Sequence, residues 1–345
     1  MKKLIVFVFA LVALLGLSSC GAKEYKLGMG IVVSDGSEDG TAQVDATVAA
    51  VVLEGDKIVA CRIDAVQNKI KVSETGTIVV PESFKTKMEL KEAYGMATSQ
   101  WSSDNNGDNV IKEWYEQVNI FETYVTGKTA DQVANLELKD VNDHKISADD
   151  SLLTAGCTIQ ITDFIAAIVK ACNDDQAVTF TAKDFTLGVA ASSYDYENGS
   201  KSATADANGV IQVYSDFAAS VVSGGKIVVS LNDAIQPSFA VSATGELTYT
   251  FTKTKRELKG DYGMATSQWS SDNNGDNIIK EWYEQSAVFS KYVEGKTATD
   301  VANLGTKTLD SGYVISNDDA LLSAGCTIQI TGMMEVVAKS VNYAR

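Results

Sequence analysis

The chain has 345 residues, with 29 Lys and Arg against 45 Asp and Glu, a net charge of −16, one His, two Pro and five Cys, and 45% hydrophobic residues. That composition is globular and acidic: it excludes a disordered linker, and the absence of a basic excess argues against nucleic acid as a partner. A single imidazole, His144, leaves no set for His-rich metal or haem sites, and any Ser-His or Cys-His catalysis would depend on that one residue, which stands in a loop-like run, DVNDHKISADD.

In chain order, residues 1–19 come first. Lys2-Lys3, an apolar run from Leu4 to Leu17 and then small residues follow the order of a secretory signal. The apolar run is 14 residues, short of the roughly 20 a bilayer-crossing helix requires. Leu17-Ser18-Ser19-Cys20-Gly21 resembles the lipobox of bacterial lipoproteins, which implies cleavage before Cys20, acylation of its thiol, and a location at the extracytoplasmic face of the cell membrane. Residues 20–24 are then a tether, whose last four residues span at most about 14 Å.

A strand-like run, YKLGMGIVVS, begins at Tyr25. DATVAAVVLEG and KIVACRIDAV, joined by a Gly-Asp turn, read as a hairpin. From Asp108 the period changes: Val110, Trp114, Val118, Phe121 and Val125 recur at three- and four-residue steps, which predicts an amphipathic helix capped by Asp108 or Asn109 and stopped by Gly127. A shorter helix is expected over 130–136 behind Thr129. TIQIT reads as a short strand, and Thr162 or Asp163 as the cap of a last helix, DFIAAIVKAC.

The same order then recurs. YGMATSQWSSDNNGDNVIKEWYEQ, Tyr94 to Gln117, returns at Tyr262 to Gln285 with one difference in 24 positions, Val110 against Ile278. LLTAGCTIQIT at Leu152 returns as LLSAGCTIQIT at Leu321, and GDKIVACRIDAV at Gly55 as GGKIVVSLNDAI at Gly224. The chain is therefore a tandem duplication, 25–175 and 176–345, and the expected fold class is α+β, two homologous domains each with a curled antiparallel sheet flanked by helices.

Cys61, Cys157, Cys172 and Cys326 read as small buried residues, with a Cys61–Cys172 disulfide as the alternative in an oxidising compartment. Asp104, Asn106 and Asp108 invite a calcium reading, as do Asp272, Asn274 and Asp276. Positions six and twelve of an EF-hand would be Asn109 and Tyr115 instead of Gly and Glu, so a turn leading into a helix is expected. Glu113 with Glu116, and Glu281 with Glu284, read as a solvated helix face beside Lys112. Trp114 falls on the apolar stripe and should fill core. Trp101 and Trp269 stand among small polar residues, where a ring can serve as a stacking platform.

Thr158, placed between small residues before a capped helix, reads as a surface hydroxyl with room for an attached group, and a helix N-terminus favours a phosphate. The hairpin with GDKI, the intervening helices and the small-small-small-Thr run before an apolar helix together resemble the FMN-binding domain of bacterial membrane and lipoprotein electron carriers. There a flavin transferase joins FMN to the Thr of a Ser-Gly-Ala-Thr motif. The resemblance implies FMN on Thr158 and Thr327, with Gly156 and Gly325 in the motif, Trp101 and Trp269 as ring partners, and redox proteins as partners. Ala155-Gly156-Cys157-Thr158 and Ala324-Gly325-Cys326-Thr327 depart from it at the first and third positions, and Gln160 and Gln329 replace its final Ser or Thr. GTAQVDATVAAVV, YGM, KEWYEQ and the spaced YV-x-GKT also resemble a group of uncharacterised secreted or lipid-anchored proteins of anaerobic Firmicutes.

Two functions follow from the sequence: a lipid-anchored electron-transfer module carrying FMN, or a cofactor-free surface lipoprotein that recognises a peptide, glycan or partner protein through its duplicated Trp/Tyr segments. No nucleophile, base and orienting group stand together in the sequence as a catalytic set, which favours a carrier or binder over an enzyme.

Overall fold

The computed structural model describes residues 23–100, 102, 111–196, 199–251, 253–268 and 279–345. Cys20, Trp101, Trp269 and both acidic Asp/Asn loops lie outside them.

Apolar side chains on both faces of the central strands require a cover on each side. In the first repeat the strands are β1 (Lys23–Asp35), β2 (Thr41–Glu54), β3 (Lys57–Val72) and β4 (Ile78–Val79). They form an antiparallel sheet in the order β4-β3-β2-β1, extended by β7 (Val178–Ala182) from the second repeat, which pairs Tyr25 with Phe180. The expected hairpin is β2-β3, longer than its sequence signal, with Val51 opposite Cys61.

The helical part follows: α1 (Lys87–Leu90), α2 (Trp114–Val125), α3 (Ala130–Ala134), the hairpin β5 (Leu138–Val141) and β6 (His144–Ser147), α4 (Asp150–Ala155) and α5 (Thr162–Cys172). Thr129 caps α3 as expected, by a reciprocal capping box with Gln132. Four expectations are corrected. The described helix begins at Trp114, with Ile111 to Glu113 outside it and Glu113 as its cap. Of TIQIT, Thr158 to Ile161 is irregular backbone, because a side chain takes N–H groups that a neighbouring strand would need, and its last residue already begins α5. Neither Thr162 nor Asp163 caps α5, which enters from Ile161 without a side-chain cap. His144 begins a strand, after a two-residue turn in which Asn142 and Asp143 both have positive φ, the geometry of a tight hairpin.

The second repeat repeats the plan with one difference. β8 (Thr186–Asp195), β10 (Val213–Ser223) and β11 (Lys226–Ile235) form one sheet, while β9 (Gly209–Ile211), β12 (Ser238–Val241) and β13 (Leu247–Thr250) form another. Pro237 stands where β3 has Asn68; a residue without an N–H ends the ladder, so the counterpart of one long strand is split into β11 and β12. Then come α6 (Lys255–Leu258), α7 (Trp282–Tyr292), α8 (Ala298–Ala302), β14 (Thr306–Thr308), β15 (Val314–Ser316), α9 (Asp319–Ser323) and α10 (Thr331–Asn342).

The class is α+β, and the layers run helices, sheet, sheet, helices. Val44, Val48 and Val52 on one face of β2 share a core with Leu187, Phe217 and Phe239 of the second repeat. Ala49, Val51 and Leu53 on its other face pack under Trp114, Phe121 and Phe164. The helix layer lies directly on the strands: a Cβ on Gly28 would sit 2.0 Å from the Ala171 carbonyl oxygen, and one on Gly188 1.8 Å from that of Ser340. Among the ion pairs that cross between the repeats, Lys170 with Glu257 and Lys339 with Glu89 are reciprocal, both at 2.8 Å between equivalent positions. The repeats therefore meet as the halves of a pseudo-twofold pair.

Candidate functional site

The TIQIT segment is held by one amide. Gln117 of α2, fully buried, accepts from Thr158 N at 2.8 Å and Ile159 N at 3.2 Å, and its Nε2 donates to Lys112 O at 2.9 Å. Gln285 does the same for Thr327 and Ile328 at 2.8 and 3.2 Å. Against expectation, Thr158 and Thr327 are not surface residues: they are 1% and 0% exposed, and their hydroxyls donate toward the same amide oxygens at 3.4 and 3.3 Å. Gly156 (φ 99°) and Gly325 (φ 90°) serve the backbone, since each occupies the left-handed region where the preceding helix ends. A phosphoester on either hydroxyl would have to pass through packed protein, so these residues do not fit a covalently held FMN.

Among the described residues Cys61, Cys157, Cys172 and Cys326 are free and buried, as expected of small core residues, and the Cys61–Cys172 disulfide is not formed. Burial pushes the thiols of Cys157 and Cys326 up to about 12, which keeps them protonated and unreactive. Trp114 is core, 3% exposed. The Glu113 and Glu116 pair is neither a solvated face nor an acid/base couple. Glu113 is buried and accepts from Met96 N at 2.9 Å, while Glu116 accepts from Glu113 N at 2.9 Å, closing the helix start. Glu281, half-buried, and Glu284 make the same contacts, with Met264 N and Glu281 N at 2.9 Å each.

What these contacts build is a cleft between sheet and helices, present in both repeats. In the first it encloses about 600 Å³, with Tyr94, Trp114 and Phe164 on one side and Asp45, Gln67, Gln160 and Asp163 among its polar groups. The Lys87 ammonium stands 5.0 Å from the Tyr94 ring centre and 5.5 Å from that of Trp114. His144 lies at the rim, its Nδ1 3.4 Å from Gln160 Oε1. Burial, with Asp45 beside it, raises the Asp163 carboxyl above the ordinary carboxylate range.

The second cleft uses the equivalent positions. Lys255 lies 5.0 Å from Tyr262 and 5.1 Å from Trp282, with Gln236 and Gln329 again lining it. Tyrosines occupy much of its space. Tyr214 replaces Asp45 and stacks on Tyr196 at 4.5 Å, and the cavity shrinks to about 250 Å³. The carboxylate has also moved: Gly332 stands where the first repeat has Asp163, while Asp216 on β10 stands where it has Thr47. A Cβ on Gly332 would lie 2.0 Å from Asp216 Oδ2. Each cleft thus keeps one carboxylate at the start of its long last helix, supplied from a different element.

The duplicated YGM and KEWYEQ runs supply Tyr94, Met96 and Trp114 to the cleft, although in sequence Trp114 read as core and the ring partners as Trp101 and Trp269, which lie outside the described residues. Lys87, Asp45, Gln67 and the tyrosines of β8 and β10 were missed, because only the fold brings them to these rings. Among the described residues no group of three His, Cys, Asp or Glu side chains is placed to hold a metal ion. Compared with protein-family models, with curated proteins and with solved structures, the chain matches none.

Proposed function

We propose that the protein is a lipid-anchored, extracytoplasmic binding protein that works without a covalent flavin and takes its ligand in the first-repeat cleft. The observation that carries this reading is the cleft itself: a lysine over a Tyr–Trp pair, faced by Asp45, Asp163, Gln67 and Gln160. Aromatic faces beside amide and carboxylate acceptors suit a hydroxyl-bearing ring, so a glycan unit is the ligand class this chemistry favours over a peptide or protein segment. The second cleft, filled by tyrosines, serves as a weaker copy. Anchoring through Cys20 would hold the cleft close to the cell surface.

The test is titration of the purified mature protein with oligosaccharides from the source cell envelope, followed by tryptophan fluorescence. The reading predicts a saturable change that Asp45→Ala with Asp163→Ala reduces about tenfold or more in affinity. A response that survives that pair of substitutions, or no response across the glycans, contradicts it.

A further inference from the structure

The pseudo-twofold arrangement creates two equivalent pockets along the seam between the repeats, and they have diverged in charge. In one, Lys253, Arg256 and Lys259 face acids supplied by the protein. Arg256 is paired with Asp174 at 3.1 Å, with both groups buried, and Lys259 with Asp175 at 2.5 Å. In the other, of about 600 Å³, Tyr343 and Ala344 occupy the positions of Asp174 and Asp175, so those two carboxylates are missing. The lysines remain as Lys85 and Lys91, Met88 stands where the first pocket has Arg256, and Arg345 stands where it has Gln176.

The surrounding charges leave this second pocket cationic. Arg62 and Arg345 share one carboxylate, Glu122, at 3.3 and 2.8 Å, and Glu89 is taken by Lys339 at 2.8 Å. Lys85 and Lys91 have no ion pair among the described residues, in a chain of net charge −16. Lys91 also holds a backbone conformation, φ 47°, that a side chain seldom adopts, and its equivalent Lys259 holds φ 50°. Both repeats keep lysine there despite the strain. Ile63, Met88, Val189 and Tyr343 supply an apolar wall.

We infer that this seam pocket is a binding site for a small organic anion, a carboxylate or phosphate ester with an apolar body. The oxyanion takes the place that the Asp175 carboxylate fills opposite Lys259 in the sister pocket, facing Lys91 with Lys85 and Arg345 on the same lining, while the body lies on Met88 and Tyr343, which replace the buried Arg256–Asp174 pair. The site is separate from the sheet–helix clefts and goes beyond the glycan reading.

Phenyl phosphate is the probe, titrated calorimetrically into the full mature protein at low ionic strength, with inorganic phosphate alongside. The expected result is saturable one-to-one binding of phenyl phosphate, tighter than that of inorganic phosphate, weakened about tenfold or more by Lys85→Glu with Lys91→Glu. Lys139→Glu with Lys183→Glu, the same charge change at exposed positions outside the pocket, should leave it unaltered. If the Glu variants misfold, Lys85→Gln with Lys91→Gln replaces them. Absence of saturable binding, equal affinity for inorganic phosphate, or equal loss in both pairs of variants would overturn the assignment.

Discussion

Gln117 shows how a single side chain decides what a motif does. Its amide oxygen takes the N–H groups of Thr158 and Ile159 inside the protein, so the motif becomes a buried brace and its hydroxyl is turned away from solvent. No local pattern announces this, because the two partners are 41 residues apart. The burial of Trp114 and the cysteines, by contrast, was readable from apolar spacing and residue type. Gln117→Leu leaves two buried N–H groups without acceptors and should cost about 2–4 kcal/mol in urea unfolding. Three buried aspartates make a second prediction. Burial pushes the Asp64 carboxyl up to about 7, despite N–H donors from Ala65 at 2.7 Å and Met88 at 3.2 Å, and pushes Asp216 and Asp233 up to about 6. An aspartate in the unfolded chain titrates near 4, so between there and about 7 the folded chain holds more protons. The contribution of these groups to stability therefore falls as pH rises through that window, and their penalty is complete above it. Urea midpoints compared at pH 5 and pH 8 should show that fall, and Asp64→Asn should reduce it; an unchanged pH slope in that variant would contradict the assignment.

At the scale of elements, the hairpin, the short capped helix and the last helix were legible because their signals are local: alternation, a Thr-x-x-Gln box and a three-to-four period. The second sheet packed on the inner face was not, although β2 carries its trace. Its residues are buried nearly without interruption from Thr41 to Leu53, which a strand with one wet face would not allow. Strand β3 and its split counterpart differ through one residue, Asn68 against Pro237. Asn68 also donates to Ser193 Oγ and Ser215 Oγ, both at 3.1 Å, tying the sheets together. The glycines of β1 and β8 set how closely the helix layer approaches. Gly28→Ala would place a methyl 2.0 Å from a helix carbonyl, so α5 must shift, at a cost of about 1–3 kcal/mol or more. Thermal unfolding of that variant checks it, and an unaltered midpoint would mean the helix does not lie where its packing on Gly28 requires.

Across the whole molecule, duplication has been used twice. It supplies a shared core and reciprocal ion pairs that join the repeats, and it supplies paired cavities free to diverge: an open cleft and a tyrosine-filled one, a cationic seam pocket and a neutralised one. The sequence made the duplication plain, but the divergence became visible only when equivalent positions such as Asp163 and Gly332, or Asp174 and Tyr343, were seen facing the same space. The central claim is that Thr158 and Thr327 brace the fold and carry no cofactor. The most direct measurement is the denatured intact mass, with peptide mapping, of the mature protein taken from its source membrane. The account predicts the polypeptide from Cys20 with its lipid and unmodified peptides around both threonines; a flavin adduct on either threonine would contradict it.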